Sequence, residues 1–282
     1  MSSTSPHPSP AATPSDSTPS DRATSDRTTS DRTTPASASG ERPVAVVTGG
    51  TRGIGLAIAR DLAPTHHLVI GGRSADSVAD VVASLPSAEG LVADLADCAP
   101  DGSLATALDA LTQRLPRVDV LVHSAGILRN GTVADSPVQD WADSMTVNVV
   151  AVAAVTRALL PALRAAHGLV VTVNSGSGLT ATPASGAYCA SKFALRAFTD
   201  SLRQEEREHG VRVTSLHPGR VHTDMQRELV DFEGAEYDAG SYLDVDSVVR
   251  AARLAIDAGP DASVDLISVR PRGWRPDPGH TP

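Results

Sequence analysis

Residues 43–55 read Pro43-Val44-Ala45-Val46-Val47-Thr48-Gly49-Gly50-Thr51-Arg52-Gly53-Ile54-Gly55. Val44–Thr48 is a short apolar run rich in β-formers, the glycines follow at once, and an Ala/Leu-rich stretch of helical length comes next. Strand, glycine turn and helix in that order let backbone N–H groups approach a pyrophosphate at the helix N-terminus. In a chain with 22 glycines such a turn alone is a weak signal. Its place between the first strand and the first helix favours phosphate binding over a merely structural turn.

The same alternation continues outward. Further apolar runs stand at 67–71, 90–93, 118–123, 169–174, 211–217 and 264–269, with helical segments expected near 53–63, 75–84, 103–115, 137–166, 187–209 and 244–258. Runs apolar on both faces and separated by helices predict a parallel sheet covered on both sides. Seven strands in residues 43–272 fit one α/β domain, a doubly wound, Rossmann-like, mostly parallel seven-stranded sheet. Residues 1–42 hold 25 Ser, Thr and Pro and no Val, Ile, Leu, Phe, Trp or Tyr, so they are expected to be a disordered tail. Its SDR(A/T)T unit recurs at Ser20, Ser25 and Ser30, a step of neither helix nor strand, which reads as low complexity. Residues 273–282 are expected to form an extended C-terminal tail.

Composition narrows the function. The net charge of −9 carries no Lys/Arg cluster, which argues against nucleic acid or an anionic membrane as partner. Two cysteines, Cys98 and Cys189, cannot build a disulfide framework, and no Cys/His spacing suggests a metal. No apolar run approaches the length of a membrane span, and the missing apolar stretch near the start argues against a signal peptide. A cytoplasmic protein is the expectation.

The loop spacing is G-x-x-x-G-x-G, and here the chain resembles the short-chain dehydrogenase/reductase family, whose shorter single-domain members carry TGxxxGIG. The match falls on Thr48, Gly49, Gly53, Ile54 and Gly55, with Thr51 and Arg52 inside the loop, and the resemblance extends over about 43–270. It implies nicotinamide binding. The end of the second strand reads Gly71-Gly72-Arg73-Ser74, with no acid to hold a ribose 2′-OH. Arg73 and Arg52 could instead both meet a 2′-phosphate, so NADP(H) is expected, unless the pair is simply a solvated surface. The resemblance gives Asp94, followed by Leu95, an adenine contact, although an isolated Asp could equally cap the next turn. It also places Ser124, Ala125 and Gly126 at the cofactor ribose, with Ser124 where the family usually has Asn. Pro218, Gly219, Val221 and Thr223 match its PGxVxT segment beside the nicotinamide.

Tyr188-Cys189-Ala190-Ser191-Lys192 opens a helix, and the i, i+4 step puts phenol and ammonium on one face. A cation near Tyr188 is expected to lower the phenol's pKa toward the working range. Thirteen residues upstream is Ser175, where the family carries its catalytic serine; Ser177 is the nearby competitor. Asn148, between Val147 and Val149, matches the family's Asn that interrupts a helix and holds a water linked to Lys192. The implied reaction is reversible hydride transfer between the nicotinamide and a carbonyl or secondary alcohol carbon. Tyr188 is then the general acid/base, Ser175 orients the substrate oxygen, and Lys192 also binds the ribose. The resemblance implies a homodimer or homotetramer acting on a small molecule. A non-catalytic NADP-binding sensor or scaffold is the alternative, and the presence of both Tyr188 and Lys192 counts against it. Asp224–Leu243 reads as a weakly patterned lid.

Overall fold

In the computed structural model, residues 42–272 are described. Almost the whole N-terminal tail and the 273–282 tail lie outside them. Seven strands, β1 Val44–Thr48, β2 His67–Gly72, β3 Ala88–Val92, β4 Val120–His123, β5 Leu169–Val173, β6 Arg212–Pro218 and β7 Leu266–Val269, form one parallel sheet in the order β3-β2-β1-β4-β5-β6-β7. The helices between them are α1 Gly53–Leu62, α2 Ala75–Ala83, α3 Ser103–Thr112, α4 Val138–Met145, α5 Ala151–Ala166, α6 Gly186–Glu205, α7 Asp224–Glu233 and α8 Val245–Ile256. This is the doubly wound, Rossmann-like architecture.

The unbroken apolar runs have a simple cause. Alternate residues leave a strand on opposite faces, and both faces of this sheet are covered. Ala45, Val47, Leu68, Ile70, Val120, Val122, Leu169 and Val171 pack with Ile58 and Leu62 of α1 and Val248 and Ala252 of α8. Val46, Val69, Leu121 and Val170 face the other way, against Leu104 and Leu108 of α3 and Leu159 and Leu163 of α5. Each face therefore has its own core, and hydrophobic burial on both sides holds the sheet between two helix layers.

The expected 137–166 helix is interrupted at Asn148, as the resemblance implied: Thr146–Val150 forms a π-turn between α4 and α5, with the Ala151 N–H bonding back to the Thr146 carbonyl. Two features depart from the sequence reading. Within the expected lid lies α7, a helix the periodicity gave no reason to expect, since it buries only Gln226 and Val230. Its ends were nevertheless marked: Thr223 Oγ1 accepts from the Gln226 N–H, and Gly234 takes φ 64° at the C-terminal end. The helical stretch Val138–Ala166 is also long and apolar enough to cross a membrane by length and composition, with mean hydropathy 1.7. Counting unbroken apolar runs misses it because Asn148 and Arg157 interrupt the run. Half of that window is buried inside the fold, as suits a core helix.

Chain order reverses between β1 and β4: β2 and β3 lie on one side of β1, and the chain returns to β4 on the other. A crevice opens at the carboxyl ends of strands on either side of such a switch point. Thr48 and His123, paired in register, mark its floor.

Candidate active site

The glycine turn folds into this crevice. Gly49 has φ 65°, and a Cβ there would lie 2.7 Å from backbone atoms of Ala125. A Cβ on Gly55 would lie 2.3 Å from the Gly49 carbonyl oxygen. Both positions therefore require glycine, and the loop packs directly on Ser124 and Ala125 after β4, where the Ser124 N–H donates to the Thr48 carbonyl at 3.2 Å. Helix α1 begins at Gly53 with no side-chain cap and no acid in its first turn. Its open N–H groups and positive dipole end thus face the crevice. Thr223 closes the loop from above, its methyl 3.8 Å from where a Gly53 Cβ would stand.

The Thr51 side chain packs against Gly72, since a Cβ there would sit 2.8 Å from the Thr51 methyl. That contact brings the neighbours Arg52 and Arg73 to the same rim. Both are exposed, and neither guanidinium has a carboxylate partner among the described residues. Ser74 caps α2, its hydroxyl accepting the Ser77 N–H at 3.3 Å, which leaves the hydroxyl proton to donate. Asp94 does what the plainer reading allowed: Oδ1 accepts the Ala96 N–H at 3.0 Å and caps the turn before α3, beside the half-buried Leu95.

Beyond the other side of the switch point, Ser175 stands two residues past the end of β5, helix α6 begins just before Tyr188, and the π-turn holds Asn148. Ser175 Oγ accepts the Ser177 N–H at 3.1 Å, so its proton is free to point outward, and its side chain lies near enough to the Tyr188 phenol to favour the phenolate. Ser177 meets this site through its backbone. Lys192, four residues after Tyr188, is 4% exposed; its Nζ donates to the Val173 carbonyl at 3.2 Å and stands 5.7 Å from the Tyr188 ring centroid. Asn148, buried, donates to the Ile127 carbonyl and to Ser191 Oγ, each at 3.0 Å, and accepts the Ile127 N–H at 2.9 Å. A Cβ on Gly126 would lie 3.1 Å from Asn148 Oδ1 and 3.7 Å from Lys192 Nζ, so Gly126 is what lets the two approach.

The electrostatics correct one expectation. Desolvation pushes the Tyr188 phenol up to about 12, with the Ser175 hydrogen bond pulling the other way. The Lys192 ammonium bonds a carbonyl rather than the phenol, and burial brings its own pKa down to about 8. Tyr188 retains some solvent exposure although its hydroxyl is desolvated. It is therefore a protonated phenol at neutral pH, a donor in waiting rather than a partial phenolate.

Two residues here escaped the sequence reading. Asn174 donates to the Lys192 carbonyl at 3.2 Å and ties the end of β5 to α6. His217 contacts the Ser175 carbonyl at 2.8 Å. Only the strand register, which pairs Val173 with Leu216, reveals that neighbourhood. Pro218, Gly219 and Val221 carry the chain from β6 to the lid, where Val221 bridges to Leu243 and closes the lid's base.

With this geometry in place, comparison is informative. A family model of short chain dehydrogenases matches residues 43–234. A dehydrogenase/reductase SDR family member 7B from Bos taurus is 34% identical over 206 residues, 69% of this chain, and the match spans only 62% of that protein's length. An alcohol dehydrogenase from the archaeon Thermococcus sibiricus, solved with 5-hydroxy-NADP, superposes with a TM-score of 0.75 at 27% identity, covering 84% of this chain and 100% of that one. A gluconate 5-dehydrogenase from Burkholderia cenocepacia, solved with NADP and tartrate, gives 0.72 at 27% identity over 82% of this chain and 94% of that one. The match runs from the glycine turn through the Ser175–Tyr188–Lys192 cluster into the lid, and the chain belongs to the short-chain dehydrogenase family of oxidoreductases.

Proposed function

We propose that this protein is an NADP(H)-dependent oxidoreductase that interconverts a small carbonyl compound and its secondary alcohol. One observation carries the reading. The Ser175 hydroxyl lies near enough to the Tyr188 phenol to favour its ionisation, with the Lys192 ammonium 5.7 Å from the phenol ring, at the same carboxyl edge of the sheet as a cradle that only glycine can line. The cradle fits a dinucleotide: a side chain at Gly49 or Gly55 would fill it, and the uncapped start of α1 offers N–H groups to a pyrophosphate. Bound there, NADPH supplies the hydride. The protein supplies the rest. Ser175, its lone pair occupied by the Ser177 N–H, donates to the substrate oxygen, and Tyr188 gives the proton that completes the alcohol. Lys192 provides a fixed positive charge as the phenol loses its proton, and would reach the ribose of the cofactor.

Arg52 and Arg73 support the phosphorylated cofactor, as do the NADP-bound relatives. Two guanidinium groups without carboxylate partners form charge-assisted bonds to a dianion that NADH cannot use. Calorimetric titration should show NADPH binding more tightly than NADH by about 2–4 kcal/mol, and the Arg52→Ala/Arg73→Ala double variant should erase the difference while NADH affinity holds. Equal affinities in the parent chain would refute the assignment. Consumption of NADPH with p-nitrobenzaldehyde, cyclohexanone or ethyl acetoacetate tests the reaction itself; no turnover with any carbonyl would refute it.

We also propose that the chain self-associates. Met145, Val150 and Phe193 expose 37–48% of their surface around the α4–α6 helix pair, where burial against the sheet is already complete. Apolar groups clustered in this way favour a second copy. Light scattering at micromolar concentration should report a dimer or tetramer, and Phe193→Glu should shift it toward the 29.0 kDa chain. A monomeric parent would contradict this.

A further inference from the structure

His217 lies in β6 and is wholly buried. Its Nδ1 is 2.8 Å from the Ser175 carbonyl oxygen and its Nε2 is 2.7 Å from Ser215 Oγ. A carbonyl oxygen only accepts, so Nδ1 must carry the ring proton, and in the neutral ring Nε2 accepts from the Ser215 hydroxyl. Burial and the cations that face the ring, Arg196 and Lys192 from α6 and Arg270 after β7, hold it neutral. Ser215 therefore sets the tautomer that His217 needs in order to donate.

The bonded carbonyl belongs to the residue whose hydroxyl faces Tyr188. Ser175 starts a single 3-10 turn, Gly176–Gly178, and its carbonyl also accepts the Gly178 N–H at 3.0 Å. That bond is internal to the turn, as is the Ser177 N–H bond to Ser175 Oγ. Both would survive if the turn swung as a unit. The His217 bond is different in kind, because it anchors the turn to the neighbouring strand.

We propose that His217 is a positioning residue for Ser175: its ring, oriented by Ser215, clamps the Ser175 peptide to β6 and so fixes the direction in which the Ser175 hydroxyl donates to the substrate oxygen and to Tyr188. The proposal rests on the oxidoreductase reading above for its catalytic consequence, but the clamp itself is independent of it. Removing a partner from a buried hydrogen bond has a large cost, and a swung Ser175 forfeits its contact in the reaction while the nucleotide cradle, on the other side of β4, is untouched.

The test uses the full chain with NADPH and whichever of p-nitrobenzaldehyde, cyclohexanone and ethyl acetoacetate is reduced fastest. His217→Leu keeps the bulk and removes both bonds; His217→Asn keeps an N–H donor near the Nδ1 position. His217→Leu should lower kcat about 10- to 100-fold, with NADPH affinity within about twofold of the parent, because the cradle shares no contact with the clamp. His217→Asn should recover most of the loss. Hydrogen exchange read by mass spectrometry should quicken in residues 174–180 of His217→Leu and return toward the parent rate in His217→Asn. A folded His217→Leu with kcat within threefold of the parent, or His217→Asn as damaged as His217→Leu, would overturn the proposal. If the parent reduces none of the three carbonyls, it is the oxidoreductase reading that fails, and the exchange measurement alone decides the clamp: unchanged exchange at 174–180 overturns it.

Discussion

Tyr188→Phe is expected to reduce carbonyls about 100- to 10,000-fold more slowly than the parent, the range that general acid catalysis supplies, while binding NADPH normally. The substitution removes one oxygen and leaves the ring, so the packing of the ring survives. What is lost is the proton this mechanism gives to the substrate oxygen, since the donation from Ser175 orients rather than protonates. The pH dependence should follow from the same site. With the phenol held up at about 12, Tyr188 stays protonated across the neutral range. Carbonyl reduction should therefore hold level from pH 6 to about 7 and fall through pH 8 as Lys192, its pKa brought down to about 8, loses the charge that supports the forming phenolate, whereas alcohol oxidation, which needs the phenolate, should climb as pH rises. Steady-state rates in both directions with the parent and variant decide this. Turnover by Tyr188→Phe within a few-fold of the parent would remove Tyr188 from the mechanism and favour a binding protein built on the same fold.

Much of this site was legible because its residues lie at strand ends, where chain order and space coincide. Gly49 and Ser124 follow a strand directly and Ser175 comes one residue later, so recognising seven apolar runs was enough to place them on one edge of a sheet. The i, i+4 step of Tyr188 and Lys192 was equally local. What stayed hidden depended on contacts between distant residues. That His217 meets the Ser175 carbonyl follows from the β5–β6 register and a ring orientation, and neither leaves a mark in sequence. From the residues alone, the π-turn around Asn148 was marked by a polar residue among valines, which is equally the mark of an exposed face; the family resemblance supplied the interruption. Helix α7 was overlooked because an amphipathic pattern fades when only two residues are buried, even though Thr223 and Gly234 supplied both caps. The upward shift at Tyr188 shows the limit of counting charges along a helix. A nearby cation argues for a low pKa, but the cation's own hydrogen bond points elsewhere and desolvation prevails.

Lys192→Met should make the protein both about 100-fold slower and more stable at neutral pH, and the two effects share one cause. Burial lowers the Lys192 pKa from 10.5 in the unfolded chain to about 8 in the fold. Below pH 8 the ammonium is charged in both states, and folding bears the full cost of burying it, about 3 kcal/mol for a shift of this size. Between pH 8 and 10.5 the unfolded chain holds the extra proton, so the parent's stability rises with pH, and above 10.5 the cost is gone. Methionine carries no such cost but forfeits the hydrogen bond to the Val173 carbonyl, roughly 1 kcal/mol. The variant should thus be more stable than the parent by about 2 kcal/mol at pH 7, with the advantage shrinking steadily toward pH 10. Catalysis moves in the opposite direction. A charge about 6 Å from the ring, in a medium of effective dielectric near 20, favours the forming phenolate by about 3 kcal/mol, or about 100-fold in rate. Urea melts of the cofactor-free chain across that pH range, together with turnover at pH 7, check both halves. A slowed variant no more stable than the parent at pH 7 would mean that the ammonium is solvated or paired and bears no burial cost, which would refute the stability half of this argument.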